Sequence, residues 1–436
     1  MNRATLLVDG HRILPELLRD LSSARSTIHI SIFLFFRDPI GEEIAALLAR
    51  KAAEGVKVRV LLNVEKTNMG DPFSTAEKAM MRHDPKVKHD PTNVAPLCKW
   101  MREQGIQVID TNIDYDHIVT VSDSRVRSLA AQIRDTIAVD DLHIDHRKIV
   151  VIDGCMGYCG GANIGAQYLF HVPFEPGVDA TVEGSRRKQA GQPEPWWKWH
   201  DSLTRFEGPI VEDLECHFHD RWILDGGNDY LREAPLQPPG RGDWIVHAHL
   251  LLNEPNDEAN QVTDKYLESI EAARESIFIE NPYLYHQAIV DALIKAKTSR
   301  PSLRVDLVLP CYGQNDNSFA QDAQQHAYAG YLKAGIAVHE YLHHFNHLKL
   351  AVFDGRYSIH GSTNLNYRSL ERDKDFELNV FIDDVALAEE ALREVRDEDL
   401  RFCKRFTFED LRGFRGRFQV RTRDPRTLLL LSRKVL

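Results

Sequence analysis

No apolar run in this chain of 436 residues is long enough to cross a bilayer. Runs such as Ile28 to Phe36 and Leu428 to Leu431 fall well short of the roughly 20 residues a spanning helix needs. The apolar part of Met1 to Arg12 is too short for a signal peptide. Cysteine is sparse too: six are scattered at 98, 155, 159, 216, 311 and 403, which fits a reducing compartment. Cys155 and Cys159 are the only close pair, and no second pair completes a four-ligand zinc site, so both are expected to be buried strand residues. Positive charge is in deficit, with 54 Lys+Arg against 65 Asp+Glu and a net charge of −11, which argues against a wholly basic nucleic-acid binder. The deficit is uneven. Residues 401–436 hold eleven Lys/Arg and three Asp/Glu, a surplus of +8 that leaves residues 1–400 at −19. One small region is therefore suited to an anionic partner, and the whole is expected to be cytoplasmic, soluble or peripheral to a membrane.

What the sequence does have is an internal repeat. Ala24-Arg25-Ser26-Thr27-Ile28-His29-Ile30 resembles Ala273-Arg274-Glu275-Ser276-Ile277-Phe278-Ile279, and each leads into an apolar, strand-like segment. Helix-period stretches follow, with Ile44, Leu47 and Leu48 on one face in the first copy and Ile289, Ala292, Leu293 and Ala296 in the second. Alternating strands come next, at 57–62 and 303–309. Two βαβ-like halves account for this pattern. The expected division is 1–233, a Pro/Gly-rich link at 234–243, 244–400, and a basic tail at 401–436. The first half is longer, with insertions expected near 66–140 and 172–195.

A polar constellation recurs inside the repeat. His146, Lys148 and Asp153 are followed by Gly160, Gly161 and Asn163; His347, Lys349 and Asp354 are followed by Gly361, Ser362 and Asn364. A lone His-x-Lys would mean nothing, but identical offsets in both copies are a strong signal. Strand period two puts His and Lys on one face. Asp153-Gly154 and Asp354-Gly355 signal hairpin turns, and pairing about them sets His146 opposite Gly161 and His347 opposite Ser362. Each half then presents His, Lys and Asn at one rim, beside glycines that permit close approach, while Asp153 and Asp354 sit at the turn end in a structural role. Two such sets face to face suit phosphodiester exchange. One His attacks phosphorus, the other protonates the leaving alcohol, and Lys and Asn hold the phosphoryl oxygens. Neither metal nor cofactor is required.

The doubled His-x-Lys-x4-Asp with Gly-Gly-x-Asn and Gly-Ser-x-Asn resembles the phospholipase D superfamily. The segments 201–211 and 364–370 leading to 375–378 are similar to its bacterial cardiolipin synthase branch, in a form without transmembrane helices. The resemblance implies an α/β fold of two pseudo-symmetric halves, each a mixed sheet flanked by helices, with the active site at their interface. It implies His146 as nucleophile and His347 as general acid then base, although pseudo-symmetry leaves the reverse open. It also implies a carboxylate downstream of each motif that orients that motif's own His, by position Asp201 and Glu377. The implied activity is phosphatidyl transfer from phosphatidylglycerol or a related phospholipid through a phosphohistidine. Water as acceptor would make a phospholipase D, and other alcohols a phosphatidylserine synthase. A nuclease of the same superfamily is disfavoured by the acidic body, and a dead scaffold by two intact motifs. The basic tail would hold the enzyme against an anionic inner membrane face, or else pack on the core with a solvated basic side. Among the remaining residues, His143, His343 and His344 read as loop histidines, and His217 and His219 as helix surface or packing. Trp196, Trp197 and Trp199 either border a lipid mouth or pack beneath an insertion.

Overall fold

A computed structural model describes residues 2–69, 93–111, 144–173, 198–227, 244–255, 260–311, 318–371 and 375–411. In the first half the strands are β1 (Asn2–Val8), β2 (Thr27–Ile32), β3 (Lys57–Leu62), β4 (Gln107–Asp110), β5 (Ile149–Ile152), β6 (Met156–Gly160), β7 (Trp199–His200) and β8 (Ser202–Glu207). The second half holds β9 (Trp244–Asn253), β10 (Ser276–Glu280), β11 (Arg304–Pro310), β12 (Ala337–Tyr341), β13 (Phe345–Asn346), β14 (Leu350–Phe353), β15 (Tyr357–Gly361), β16 (Glu377–Asp383) and β17 (Cys403–Arg405). Fifteen of them form one sheet in the order β17-β12-β11-β10-β14-β15-β16-β9-β1-β8-β6-β5-β2-β3-β4. Apart from the edge strand β17, the order reads the same outward from the central β9–β1 pair, so the repeat is a pseudo-two-fold. In each half three parallel strands, β2-β3-β4 or β10-β11-β12, flank an antiparallel group.

Strand alternation divides the buried residues among three cores. Val150 and Ile152 point into the first half's own core with the helix Pro39–Ala53. Ala351 and Phe353 do the same in the second half with the helix Gln287–Ser299. Their neighbours Ile149, Val151, Leu350 and Val352 face the other way, into a third core to which both halves contribute. The halves are thus joined by main-chain pairing at β1–β9 and by shared apolar burial.

Several expectations need correction. The span 66–140 is not all insertion: it contains the helix Ala95–Glu103 and β4, matched in the other half by the helix Ser318–Ala334 and β12. The surplus residues fall at 70–92 and 112–143, outside the described residues, as do 174–197 and the link at 234–243. The tail does not begin at 401, because β17 pairs with β12 and Phe406 is buried in the second core; residues 412–436 lie outside the described residues. The hairpin register is also one residue off. Asp153 and Gly154, like Asp354 and Gly355, do take positive φ in a turn. Cys155 is then left out of the ladder, so that Ile152 pairs with Met156, and Phe353 likewise with Tyr357. The extra residue is a bulge that a two-residue turn signal does not reveal.

Candidate active site

The turn aspartates lie away from the histidines and fasten the repeated segment that precedes β2 and β10. Asp153 accepts hydrogen bonds from the backbone N–H groups of Arg25 (2.9 Å), Ser26 (2.7 Å) and Thr27 (2.9 Å). Asp354 accepts from Arg274 (2.8 Å), Glu275 (2.7 Å) and Ser276 (2.9 Å) in the same way. One carboxylate thus satisfies three successive donors, which explains why the repeated segments and the repeated aspartates occur together.

The histidines enter from short strands that cross between halves. Phe345 and Asn346, just before His347, pair in parallel with Trp199 and His200, just before Asp201. Asp145, just before His146, bridges to Phe376, just before Glu377. This crossing brings His146 Nδ1 to 3.0 Å from Glu377 Oε1, and His347 Nδ1 to 2.7 Å from Asp201 Oδ2. The expectation that each carboxylate serves the histidine of its own motif is therefore corrected: the residues are those named, but the pairing is exchanged between halves. With Nδ1 engaged, each ring offers Nε2 for chemistry.

Local sequence fits each carboxylate to its place. Asp201 lies against Gly161, where a Cβ would sit 2.2 Å from its Oδ1; the short acid therefore needs glycine there. Glu377 is one methylene longer and faces Ser362, whose hydroxyl donates to its second oxygen. Gly361 is required by a neighbour rather than by the acid, since its Cβ would meet Asn379 Oδ1 at 2.2 Å, and a Cβ on Gly160 would meet the Ser202 carbonyl at 2.4 Å. Lys148 and Lys349 are buried and donate to the carbonyls of His146 and His347, and Lys349 Nζ also lies 3.0 Å from His347 Nδ1. Asn163 Oδ1 accepts from the Leu34 N–H at 3.0 Å, whereas Asn364 Oδ1 is buried and has no hydrogen-bond partner among the described residues.

Aromatic rings wall the site. Phe33 meets His146 edge-on at 5.0 Å and lies 5.2 Å from Lys148 Nζ. Tyr168 and Trp199 stand 5.6 and 5.0 Å from His347. Trp199 is only 3% exposed, so it packs beneath His347; Trp196 and Trp197 lie outside the described residues. Phe33 and Tyr168 carry no signal in the sequence, because both are aromatic positions of the first half without an aromatic counterpart in the second.

The electrostatics of the two pairs differ. Burial lowers both histidines, His347 well below the ordinary range, and the nearby lysines lower them further. Burial raises Asp201 to about 7. Burial also works against the charged form of Glu377, but His146, Lys148 and the Ser362 hydroxyl outweigh it and hold this carboxyl below its usual range. Lys148 is pushed down to about 7 by burial, against the pull of Glu377. The His347–Asp201 pair is thus biased toward holding a second proton, beyond the one on the imidazole, and the His146–Glu377 pair toward a neutral imidazole that donates Nδ1–H to the carboxylate.

The sequence pattern of the family described as cardiolipin synthase, PLD-like domain, matches residues 17–175 and 266–398. The chain belongs to this family. Over 411 residues it is 26% identical to the major cardiolipin synthase ClsA of Bacillus subtilis (strain 168), covering 94% of this chain and 71% of that protein. A cardiolipin synthase 2 of Staphylococcus epidermidis is also 26% identical over 411 residues, covering 94% and 70%. The crystal structure of phosphatidylserine synthase from Haemophilus influenzae Rd KW20 superposes with a TM-score of 0.58 at 14% identity, covering 93% of this chain and 87% of that one, which shows a common fold. Among the described residues, no helix is long and apolar enough to cross a membrane.

Proposed function

We propose that the protein is a phosphatidyltransferase of the cardiolipin synthase type, acting on phosphatidylglycerol or a related phospholipid. One observation carries this reading: two histidines, each held at Nδ1 by a carboxylate of the opposite half, with a buried lysine beside each. His146, as the neutral imidazole that donates Nδ1–H to Glu377, attacks phosphorus through Nε2. The bond from phosphorus to the head-group oxygen breaks, and the departing alkoxide takes the proton held by the His347–Asp201 pair. A second alcohol then attacks the phosphohistidine and returns its proton to that pair, and the P–N bond breaks. Lys148 and Lys349 supply positive charge to the non-bridging oxygens, and Asn163 and Asn364 supply amide donors. The names of the relatives support phospholipid as the substrate class. Residues 412–436, with eight Lys/Arg against one Asp, are assigned to hold the enzyme on an anionic leaflet at the inner face of the membrane, at about 1 kcal/mol per basic residue near the surface.

Incubation with phosphatidylglycerol vesicles followed by lipid mass spectrometry tests this reading. Cardiolipin with released glycerol is expected. Phosphatidic acid alone would identify a hydrolase, and unchanged lipid would overturn the assignment to phospholipids. Removing residues 412–436 should weaken sedimentation with anionic vesicles; unchanged binding would show that this segment has no part in attachment.

A further inference from the structure

Behind His347, in the layer that sets its backbone, lies a group of buried titratable residues that the transfer chemistry does not use. His200, Glu280 and Asp399 each present a ligand-type atom, and these atoms all lie within 4.8 Å of one another. All three residues are at most 4% exposed. They come from distant parts of the chain: β7, the end of β10, and the turn before β17. His200 Nδ1 is 2.8 Å from Asp9 Oδ1, and its ring stacks on Tyr341 with centroids 5.4 Å apart. The ring is therefore fixed with Nε2 directed at the two carboxylates, 3.0 Å from Asp399 Oδ2 and 3.7 Å from Glu280. Glu280 Oε1 accepts from Asn346 Nδ2 at 2.6 Å, while Glu280 Oε2 is buried and, among the described residues, has no hydrogen-bond donor.

The pseudo-symmetric position behind His146 shows what this cluster lacks. There Asp145 receives Arg147 at 2.9 Å and Arg221 at 3.5 Å, Arg221 also pairs with Asp225 at 2.6 Å, and both guanidiniums lie over the Phe376 ring. His200 occupies the place of Phe376, and Asn346 that of Asp145. Among the described residues, no lysine or arginine pairs with Asp9, Glu280 or Asp399. Three carboxylates with one imidazole for countercharge is an imbalance that a buried site resolves with protons or with a cation.

We propose that His200 Nε2, Glu280 Oε2 and Asp399 bind a divalent transition-metal ion, with Zn2+ as the best match. One imidazole nitrogen and two carboxylate oxygens form a ligand set suited to zinc or manganese rather than to the all-oxygen shells of calcium and magnesium. A central ion with bonds of ~2.1 Å would draw the three groups together from their present span. Asp9 on His200 Nδ1 is the outer carboxylate that fixes the tautomer of a metal-binding histidine. The ion would be structural. It would join the two halves where the His347 N–H donates to the His200 carbonyl at 2.9 Å, and it takes no part in phosphoryl transfer.

The test is metal analysis of the purified full chain, before and after chelation, with Zn2+ and Mn2+ added back and melting followed in parallel. About one equivalent per chain is expected, with a Tm that falls on chelation and rises by several degrees on return of Zn2+. Glu280→Gln with Asp399→Asn should abolish both the bound metal and the shift. These near-isosteric changes remove charge repulsion, so the metal-free variant should melt no lower than the metal-free wild type. Replacing His343 and His344, whose rings lie 4.2 Å apart, with Ala should leave stoichiometric binding intact. Substoichiometric metal with no Tm response to Zn2+ would overturn the proposal, as would binding that survives the double carboxylate change.

Discussion

The polar layers behind the two histidines solve one problem in different ways. Behind His146 two arginines meet Asp145 and Asp225 across an aromatic ring, whereas behind His347 a histidine faces carboxylates from both halves. The side chains assigned to the chemistry are matched in type and position: His, Lys and Asn recur with identical spacing, and each His finds a carboxylate in the opposite half. The proposed chemistry, which uses two histidines in turn, would restrain both sets, while the layer beneath needs only to be satisfied and is free to differ. The acid is intermediate, with Asp201 against Gly161 on one side and Glu377 against Ser362 on the other.

Changes made on both sides would sharpen this comparison. His146→Ala and His347→Ala should each reduce turnover by about 10^4-fold or more, since attack and leaving-group protonation are both lost from the cycle. Substantial transferase activity in either variant would break the two-histidine cycle. Exchanging the acid's neighbours should be unequal. Gly161→Ser forces a Cβ into the space of Asp201 Oδ1 and should reduce kcat by about 10^2-fold or more, measured by release of glycerol. Ser362→Gly only removes one hydroxyl donor from Glu377 and should cost about tenfold. Equal effects would mean that the two acids are held in the same way.

The pH profile reads the same asymmetry. Asp201 and Lys148 both sit near 7, so kcat/KM should fall as pH rises above about 7, when the His347–Asp201 pair loses its proton and Lys148 its charge. On the acid side activity should hold until His146 protonates, below the ordinary histidine value. A profile still rising at about pH 9 would contradict the assignment of His347 as the acid. The smallest effect is expected at the turns. Asp153 is buried and Asp354 half-buried, so Asp153→Ala should destabilise by about 2–3 kcal/mol and Asp354→Ala by about 1 kcal/mol, read by denaturant melting.

Much of this was legible in the sequence because it repeats. Equal offsets from His146 to Asn163 and from His347 to Asn364 mark the two motifs, and period two places His and Lys on one face. The exchange of Asp201 and Glu377 between halves was not legible. It depends on β13 meeting β7 and on Asp145 meeting Phe376, and such long-range pairings leave no periodic mark on either strand. The bulge at Cys155 was hidden because an Asp-Gly turn fits either register. Phe406 reads as one aromatic among basic residues, and only the β17–β12 pairing shows that it closes the second core.

The exchanged carboxylates bear on how such a chain could arise. A single half standing alone would carry a histidine without its orienting acid, and the acid it carried would be directed at a histidine it did not have. Two copies related by a two-fold axis would satisfy each other at once. The simplest ancestor is therefore a homodimer of one half, fused later into a single gene. After fusion, any drift in Asp201 or Glu377 would be felt first by the histidine of the opposite copy.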